Sequence, residues 1–272
     1  MKPLFIPTQT GPLFSIFYSP VNKAVSRAII HIPAFAEEMN KSRRMVAIQA
    51  QAFSNRGYAV LVLDLFGTGD SAGDFGEATW QIWLQNIDTA IDWLKQHGAQ
   101  SIDLWGLRIG ALLAMDFASH SRHRIQRLIA CQPVLNGDTF ITQFLRLRVA
   151  AAMMDNNSPP EKTSDLKRQL LEGQAIEVAG YLLNPDLINP LMAIRAEQFN
   201  WQYVKEIAIF EVVSSEDSPV AIGNTQLLAI LQKKNINASL TKVVGNAFWV
   251  SQEISEAADL IKVTSEKVEQ WL

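Results

Sequence analysis

The stretch that decides the fold is residues 101–118, which read Ser101-Ile-Asp-Leu-Trp-Gly106-Leu-Arg108-Ile-Gly110-Ala-Leu-Leu-Ala-Met-Asp-Phe-Ala118. A short apolar run leads into a turn flanked by two glycines, and a run of small apolar residues follows. The apolar run predicts a buried strand, and the small residues predict a helix that packs closely against it. This stretch therefore predicts a strand, a sharp turn and a helix in immediate succession.

The segments on either side repeat this alternation. Strands are predicted at 13–18, 26–32, 58–64, 101–105, 126–131, 206–213 and 237–243, and helices at 39–55, 78–96, 109–119, 221–233 and near 252–271. The 58–64 strand is apolar on both faces, which is typical of the middle of a parallel sheet, whereas 13–18 is expected at the edge. The pattern predicts an α/β fold, with a mostly parallel central sheet and helices on both faces.

The alternation stops after Pro133 and returns near residue 206. Aromatic and apolar residues at helical spacing, beginning with Phe140 and Phe144, predict a helix, and further helices are predicted at 161–172 and 186–197. The chain is expected to be a single domain of residues 1–272 with a cap-like insertion at about 136–200. The aromatic and methionine side chains of this insertion indicate either packing against the main domain or the lining of an acyl pocket.

The composition excludes several classes of function. The 272 residues are 48% hydrophobic and 19% charged, with a net charge of −3 and no block of basic residues. This distribution argues against nucleic-acid binding. No run of 18 apolar residues or signal-peptide pattern is present, so no membrane span and a cytoplasmic location are expected. The single cysteine, Cys131, excludes an internal disulfide and a cysteine-rich metal site. No metal or cofactor is expected.

The turn at 106–110 has the frame of a nucleophile elbow, G-x-S-x-G, in which a strained turn lifts a serine above the sheet. Arg108 stands at the position of that serine. A guanidinium stays protonated near neutral pH and offers no nucleophile. The frame therefore predicts nucleophilic attack by a serine hydroxyl, and Arg108 at its centre argues against that chemistry.

A second glycine-rich loop follows the 58–64 strand and reads Asp64-Leu-Phe-Gly-Thr-Gly69-Asp-Ser71-Ala-Gly73. Open α/β sheets place their ligands at such carboxyl ends of strands. The segment 69–73 also matches G-x-S-x-G, but Asp-Phe-Gly at 74–76 continues the loop where an elbow needs a helix. Ser71 is therefore expected to shape the turn, and its use as the nucleophile is the alternative.

Together these features resemble the α/β-hydrolase fold, through His31-Ile-Pro-Ala-Phe35, the glycine loop and the 106–110 elbow, and most closely its serine aminopeptidase-like and esterase-like branch. More narrowly, the segments 35–44, 69–76 and 104–108 are similar to bacterial hydrolase-like proteins associated with the exosortase A system. Those proteins accompany exopolysaccharide and protein-sorting loci. The resemblance covers most of the chain and is weakest at 136–200, and it implies a hydrolase of esterase or peptidase type.

The resemblance also implies where a catalytic triad would lie, in the chain order serine, acid, histidine. Arg108 holds the serine position, and Asp217 fits the acid, with Glu216 as the next choice. The histidine is expected directly after Gly245, where this chain has Asn246. An asparagine side chain cannot act as a general base, so of the three roles only the acid is retained.

The segment after the 26–32 strand corresponds to the oxyanion loop. His31 ends that strand and is expected near Arg108, either as a structural residue that bonds the loop or as a participant in the chemistry. Pro33 has no N–H to donate, so the amides of Ala34 and Ile109 are the candidate oxyanion donors.

Arg108 precedes a helix N-terminus, where backbone N–H groups already favour anions. We weigh two roles for it. The guanidinium either forms an internal salt bridge to Glu37, Glu38 or Asp217, or binds an external phosphate or carboxylate.

Two functions therefore stay open. One is a hydrolase that uses Ser71 or Cys131 with His31 and Asp217 in place of the usual triad. The other is a noncatalytic binding or scaffold protein with an anion site at Arg108. The expected partner is a small molecule, either anionic or of acyl or ester type, and a homodimer is an open possibility.

Overall fold

A computed structural model describes residues 1–21, 24–154 and 161–271. The strands are β1 (Lys2–Ile6), β2 (Leu13–Tyr18), β3 (Arg27–Ile32), β4 (Ala59–Leu63), β5 (Ser101–Leu107), β6 (Arg127–Cys131), β7 (Ile176–Val178), β8 (Tyr181–Leu183), β9 (Glu206–Val213) and β10 (Asn237–Val244). The helices are α1 (Glu37–Asn55), α2 (Trp80–Gln96), α3 (Ile109–His120), α4 (Gly137–Met154), α5 (Thr163–Leu171), α6 (Pro185–Ala193), α7 (Ile222–Lys233) and α8 (Ala258–Glu269).

Within the described residues, eight strands form one sheet in the order β1-β2-β4-β3-β5-β6-β9-β10. The five pairings from β4 to β10 are parallel, and the two that attach β1 and β2 are antiparallel. β3, β5 and β6 lie side by side near the centre, which brings the loops after them to one edge of the sheet. The predicted α/β class with a mostly parallel sheet is confirmed.

Apolar side chains cover both faces of the sheet. On one face the sheet packs against α2, α3 and α7, in a cluster that includes Trp83, Ile87 and Leu112. On the other face α1 and α8 cover the sheet through a cluster that includes Phe53 and Leu260. Because helices exclude water from both sides, the central strands are apolar on both faces, as 58–64 indicated.

Between β6 and β9 the chain leaves the sheet. α4, α5, the antiparallel β7–β8 hairpin and α6 follow one another here. The rings of Phe140 and Phe144 on α4 pack edge-on against Phe35 in the loop after β3, with ring centroids 5.6 and 5.2 Å apart. Aromatic contacts thus join this segment to the loops at the carboxyl ends of the strands.

The sheet differs from the sequence prediction at one edge. β2 was expected to be the edge strand, but β1 pairs outside it, and no strand was predicted at Lys2–Ile6. Pro3 lies in β1, and proline is tolerated on an edge strand because one side of that strand needs no N–H donors. None of the helices among the described residues is both long enough and apolar enough to cross a membrane.

Candidate active site

The turn between β5 and α3 has the geometry of a nucleophile elbow. Arg108 is its central residue, with a positive φ of 56° and a ψ of −118°. A β-carbon on Gly110 would lie 2.2 Å from the carbonyl oxygen of Ile32, and one on Gly106 would lie 2.3 Å from the Cα of Ala111. Both positions therefore require glycine, and α3 can approach β3 and β5 closely only because they have it.

The Arg108 side chain forms an ion pair with Glu38, which lies in the first turn of α1. Its Nε donates to both carboxylate oxygens at 3.2 and 3.3 Å, and its Nη2 donates to Oε1 at 3.1 Å. The two side chains are 19% and 17% exposed. Of the partners weighed from the sequence, Glu38 is the one that Arg108 contacts. Its carboxylate occupies the edge of the guanidinium formed by Nε and Nη2.

Two aromatic rings cover the guanidinium. The Arg108 Cζ lies 5.7 Å from the ring centroid of Trp249 and 5.9 Å from that of Phe140. Trp249 follows β10 in the loop where a triad histidine was expected, and Phe140 comes from α4. These distances suit cation–π attraction, which strengthens as water is excluded. Two aromatic side chains of the protein thus lie close to the guanidinium above the elbow.

Burial around the pair shifts the titration of Glu38. Its pKa is raised above the usual range because the carboxyl is desolvated, and the charge and hydrogen bonds of Arg108 offset part of that shift. Burying the ionised Glu38 carboxylate is costly, and the charge of the Arg108 guanidinium offsets that cost.

Asp217 and Asn246, the positions expected for the acid and the base, are both exposed in the loops after β9 and β10. Among the described residues, neither side chain forms a hydrogen bond or an ion pair with Arg108. The structure therefore does not connect the three positions into a proton-transfer chain.

The two alternative nucleophiles are Ser71, which is hydrogen-bonded to the backbone, and Cys131, which is buried. The Ser71 hydroxyl donates to the Asp64 carbonyl and accepts from the amide of Phe14 at 2.8 Å, so it bonds the glycine loop to β2. This is the turn-shaping arrangement expected for it. Cys131 is buried at the end of β6, and burial raises the pKa of its thiol to about 12. A thiol with that pKa is not a thiolate near neutral pH.

His31 is buried against Trp105, with ring centroids 4.1 Å apart. Burial lowers the pKa of the imidazole to about 3, and a hydrogen bond to the Trp105 backbone opposes that shift. The sequence predicted that His31 lies near Arg108; in the structure His31 is paired in the sheet with Trp105, three residues before Arg108. His31 forms no hydrogen bond with Ser71, Cys131 or Asp217 among the described side chains.

The proposed oxyanion donors lie beside the elbow. Ala34 and Phe35 form the loop after β3, and Ile109 is the first residue of α3. The amide of Ala34 has no hydrogen-bond partner within the described ranges. Glu37, the neighbour of Glu38, points elsewhere and accepts a hydrogen bond from the Tyr181 hydroxyl at 3.2 Å.

One cluster outside this region has ligand types suited to a metal. Asp88, Asp92 and His123 bring one oxygen or nitrogen each within 4.8 Å of one another. However, Arg122 bridges the two carboxylates at 2.9 and 2.8 Å, and Lys95 donates to His123 Nδ1 at 2.7 Å. These cations already balance the carboxylates, so the cluster is an ion-pair network.

Sequence reasoning missed both rings that cover Arg108. Phe140 was assigned to the insertion as a seam or pocket residue, and Trp249 was passed over because the search in that loop was for a histidine. The available signal was a pair of aromatic residues, Phe248-Trp249, in a loop expected to be polar.

Comparisons with known proteins agree with this geometry. The family model for serine aminopeptidase, S33, matches residues 27–192, which is more than half of the chain. A curated Escherichia coli protein, described as an uncharacterized 31.7 kDa protein in the traX-finO intergenic region, is 23% identical over 128 residues. That match covers 46% of this chain and 44% of the relative, so it spans less than half of the relative's length.

Solved structures are similar over nearly the whole chain. Est1E from Butyrivibrio proteoclasticus, solved with ferulic acid bound, aligns with a TM-score of 0.69 at 19% identity, covering 98% of this chain and 97% of that one. An alpha-beta serine hydrolase homologue from Coxiella burnetii aligns with a TM-score of 0.58 at 13% identity, covering 98% and 97%. At these identities the likeness shows the fold alone.

Proposed function

Because this chain belongs to the serine aminopeptidase, S33, family of α/β hydrolases, yet has arginine at the elbow, we propose that it is an esterase- and peptidase-type relative with a degenerate triad. In this proposal an internal ion pair replaces the nucleophile. The protein then keeps the fold of a hydrolase without hydrolysing esters or peptides by the serine route.

The observation that carries the proposal is the Arg108–Glu38 pair beneath Trp249 and Phe140. Serine hydrolysis needs a hydroxyl at the elbow, a base beside it and free space for the acyl group. Here a guanidinium is at the elbow, Asn246 is at the expected base position, and the rings of Trp249 and Phe140 lie close to the guanidinium. The same pair disfavours the anion-site version of a binding role, because Glu38 already supplies the counter-charge of the guanidinium.

The retained features support a hydrolase ancestry. The Asp217 carboxylate, the glycine loop and the elbow backbone are all present, and the serine hydrolase homologue from Coxiella burnetii shares the fold. A replacement set built from Ser71 or Cys131 with His31 has no support in the contacts described above.

The test is reaction of the purified protein with a serine-reactive fluorophosphonate probe, together with turnover assays on ester, thioester and aminoacyl-amide substrates. We expect neither labelling nor turnover in the wild type or in Arg108→Ser, since Asn246 leaves a new serine without a base. The double variant Arg108→Ser/Asn246→His has the serine and the histidine that the family has at these two positions, and it is the comparison for the single variant Arg108→Ser.

Turnover by the wild-type protein would contradict the proposal. If Ser71→Ala or Cys131→Ala abolished that turnover, the alternative nucleophile would be identified directly. Turnover by Arg108→Ser alone would instead mean that another group serves as the base.

The narrower assignment rests on the segments 35–44, 69–76 and 104–108, which are similar to exosortase A system-associated hydrolase-like proteins. We place the protein's role alongside exopolysaccharide production or protein sorting, in the cytoplasm. Deleting the gene in the organism that encodes it and measuring exopolysaccharide yield tests the role, and cell fractionation tests the location. Unchanged exopolysaccharide and unchanged sorting of surface proteins would remove this assignment.

The segment at about 136–200 is proposed to act as a cap on the main domain. Support comes from Phe140, which contacts both Phe35 and the Arg108 guanidinium. In this protein the proposed cap closes over an ion pair instead of a substrate.

A further inference from the structure

A polar cavity of about 450 Å³ lies beside the start of β5, at the edge of the sheet opposite the elbow. β6 pairs with β5 only from Leu104 onward, so within the described residues Ser101–Asp103 have β3 on one side and no strand on the other. The end of α2 and the segment 122–127, which leads from α3 into β6, bound the space left there. Its volume is in the range of small-molecule pockets.

Charged side chains of both signs line this cavity: Lys95, Arg122, Arg124, Arg127 and Asp103. Lys95 and Arg122 belong to the ion-pair network described above, where they balance two carboxylates of α2. The Asp103 carboxyl interacts with the charges of two arginines, Arg27 and Arg127. Three arginines therefore stand against one carboxyl group, and the cavity has an excess of positive charge.

The guanidinium groups of Arg124 and Arg127 each lie over an aromatic ring. The Arg124 Cζ is 5.5 Å from the ring centroid of Tyr203, and the Arg127 Cζ is 5.6 Å from that of Trp271. Arg127 Nη1 is 3.9 Å from Asp103 Oδ2, beyond hydrogen-bond distance, and neither guanidinium donates a hydrogen bond to any described residue.

These contacts leave both guanidinium groups available to a ligand. A ring that packs on the face of a guanidinium leaves the N–H groups at its edge free. Arg124 is exposed and the Arg127 side chain is 28% exposed, so a molecule in the cavity reaches both.

We propose that this cavity binds a small phosphate ester with a hydroxylated body, and that the guanidinium groups of Arg124 and Arg127 hold the phosphate. A guanidinium presents parallel N–H groups that match two oxygens of a phosphate, and a dianionic phosphate suits the excess of positive charge. The polar side chains of the wall donate and accept hydrogen bonds with hydroxyl groups of the body; they are Gln100, Ser101 and Gln126. The site is independent of the Arg108–Glu38 pair, which lies at the other edge of the sheet.

The test is isothermal titration calorimetry of the full-length protein with glucose 6-phosphate, glucose and inorganic phosphate. We expect glucose, which lacks the phosphate, to bind at least about tenfold more weakly than glucose 6-phosphate. Inorganic phosphate, which lacks the hydroxylated body, should bind about fivefold more weakly. In protein NMR, glucose 6-phosphate should shift the amide signals of residues 100–103 and 122–127 and leave those of the elbow, 106–110, unchanged.

Variants at the exposed Arg124 separate bidentate binding from charge alone. Arg124→Gln should lower the affinity for glucose 6-phosphate about tenfold, and Arg124→Lys, which keeps the charge but loses the paired N–H groups, should cause a smaller loss. Arg146→Gln, the same change at an exposed arginine outside the cavity, should leave the affinity unchanged.

Three results would overturn the phosphate site: equal affinities for glucose and glucose 6-phosphate, an unchanged affinity in Arg124→Gln, or amide shifts at 106–110 instead of at the cavity. Equal affinities for inorganic phosphate and glucose 6-phosphate would overturn the hydroxylated body.

Discussion

Arg108 has the backbone conformation of a nucleophile elbow, but its side chain is not a nucleophile. A φ of 56° is uncommon for any residue other than glycine, asparagine or aspartate, and such strain is maintained only where the surroundings enforce it. At this position three contacts hold the conformation: the start of α3, the hydrogen bond that the Arg108 backbone N–H donates to the Cys131 carbonyl, and the ion pair with Glu38. The backbone of the elbow is thus present, while the side chain at its centre pairs with Glu38.

Removing the partner of Arg108 should therefore be costly. Glu38→Gln leaves a mostly buried guanidinium without a counter-charge, and we expect a loss of about 2–4 kcal/mol in the free energy of unfolding. Urea denaturation followed by circular dichroism measures it. Glu37→Gln is the matched control, because the same change at the neighbouring exposed carboxylate should cost no more than about 0.5 kcal/mol.

Equal losses in the free energy of unfolding of the two glutamine variants would mean that the Arg108–Glu38 ion pair stabilises the fold no more than the exposed Glu37 does. Adding Arg108→Met to Glu38→Gln should recover part of the loss, because a double replacement removes both buried charges together.

The element on which the site depends is the junction of β5 and α3. Gly110 lets α3 approach the loop after β3, since a β-carbon there would overlap the Ile32 carbonyl. Gly110→Ala should lower the free energy of unfolding by at least about 3 kcal/mol, measured by thermal and urea denaturation. Gly223→Ala, in the exposed part of α7, is the matched control and should be neutral or slightly stabilising, because its β-carbon would meet Leu135 only at 3.4 Å. Similar destabilisation by both changes would contradict the close approach.

Most elements could be predicted from the sequence because hydrophobic period and glycine position determine them locally. The apolar run 58–64 gave β4, and the glycine pair at 106 and 110 gave the elbow. β1 could not be predicted, because Pro3 and Pro7 disrupt its strand pattern and only pairing with β2 orders it.

The site was only partly predictable for the same reason. That Arg108 needed a partner followed from its charge, but the choice among Glu37, Glu38 and Asp217 depended on the rotation of α1. Glu38 faces the elbow and Glu37 faces Tyr181, which is a property of the packed helix. The cover by Trp249 required knowledge of the loop path after β10.

At the scale of the whole molecule, two buried groups on neighbouring central strands have opposite effects on stability as pH changes. Burial lowers the pKa of His31 to about 3, so its contribution is lost as pH falls below about 6.5. Burial raises the pKa of Asp103 to about 7, against the opposing charges of Arg127 and Arg27, so its contribution is lost as pH rises from about 4 to about 7. Between about pH 4 and 6.5 the two effects oppose each other.

Variants should reveal this opposition. Relative to the wild type, the free energy of unfolding of His31→Leu should fall more steeply as pH rises from 4.5 to 6.5, and that of Asp103→Asn should rise. The change in slope is at most about 1.4 kcal/mol per pH unit for one proton. Urea denaturation at three pH values measures both slopes, and parallel curves for all three proteins would contradict the assignment.

The ring of Phe35 has its centroid 5.2–6.1 Å from four others, those of Phe75, Trp83, Phe140 and Phe144. Lifting α4 away would expose this whole set of rings to solvent at once, so local opening of the region is expected to be nearly as rare as global unfolding. In a hydrogen–deuterium exchange experiment, the amides around Phe140 and Phe144 should accordingly exchange as slowly as those of β5. A lid that admits substrate behaves in the opposite way, with protection factors well below those of the sheet beneath it.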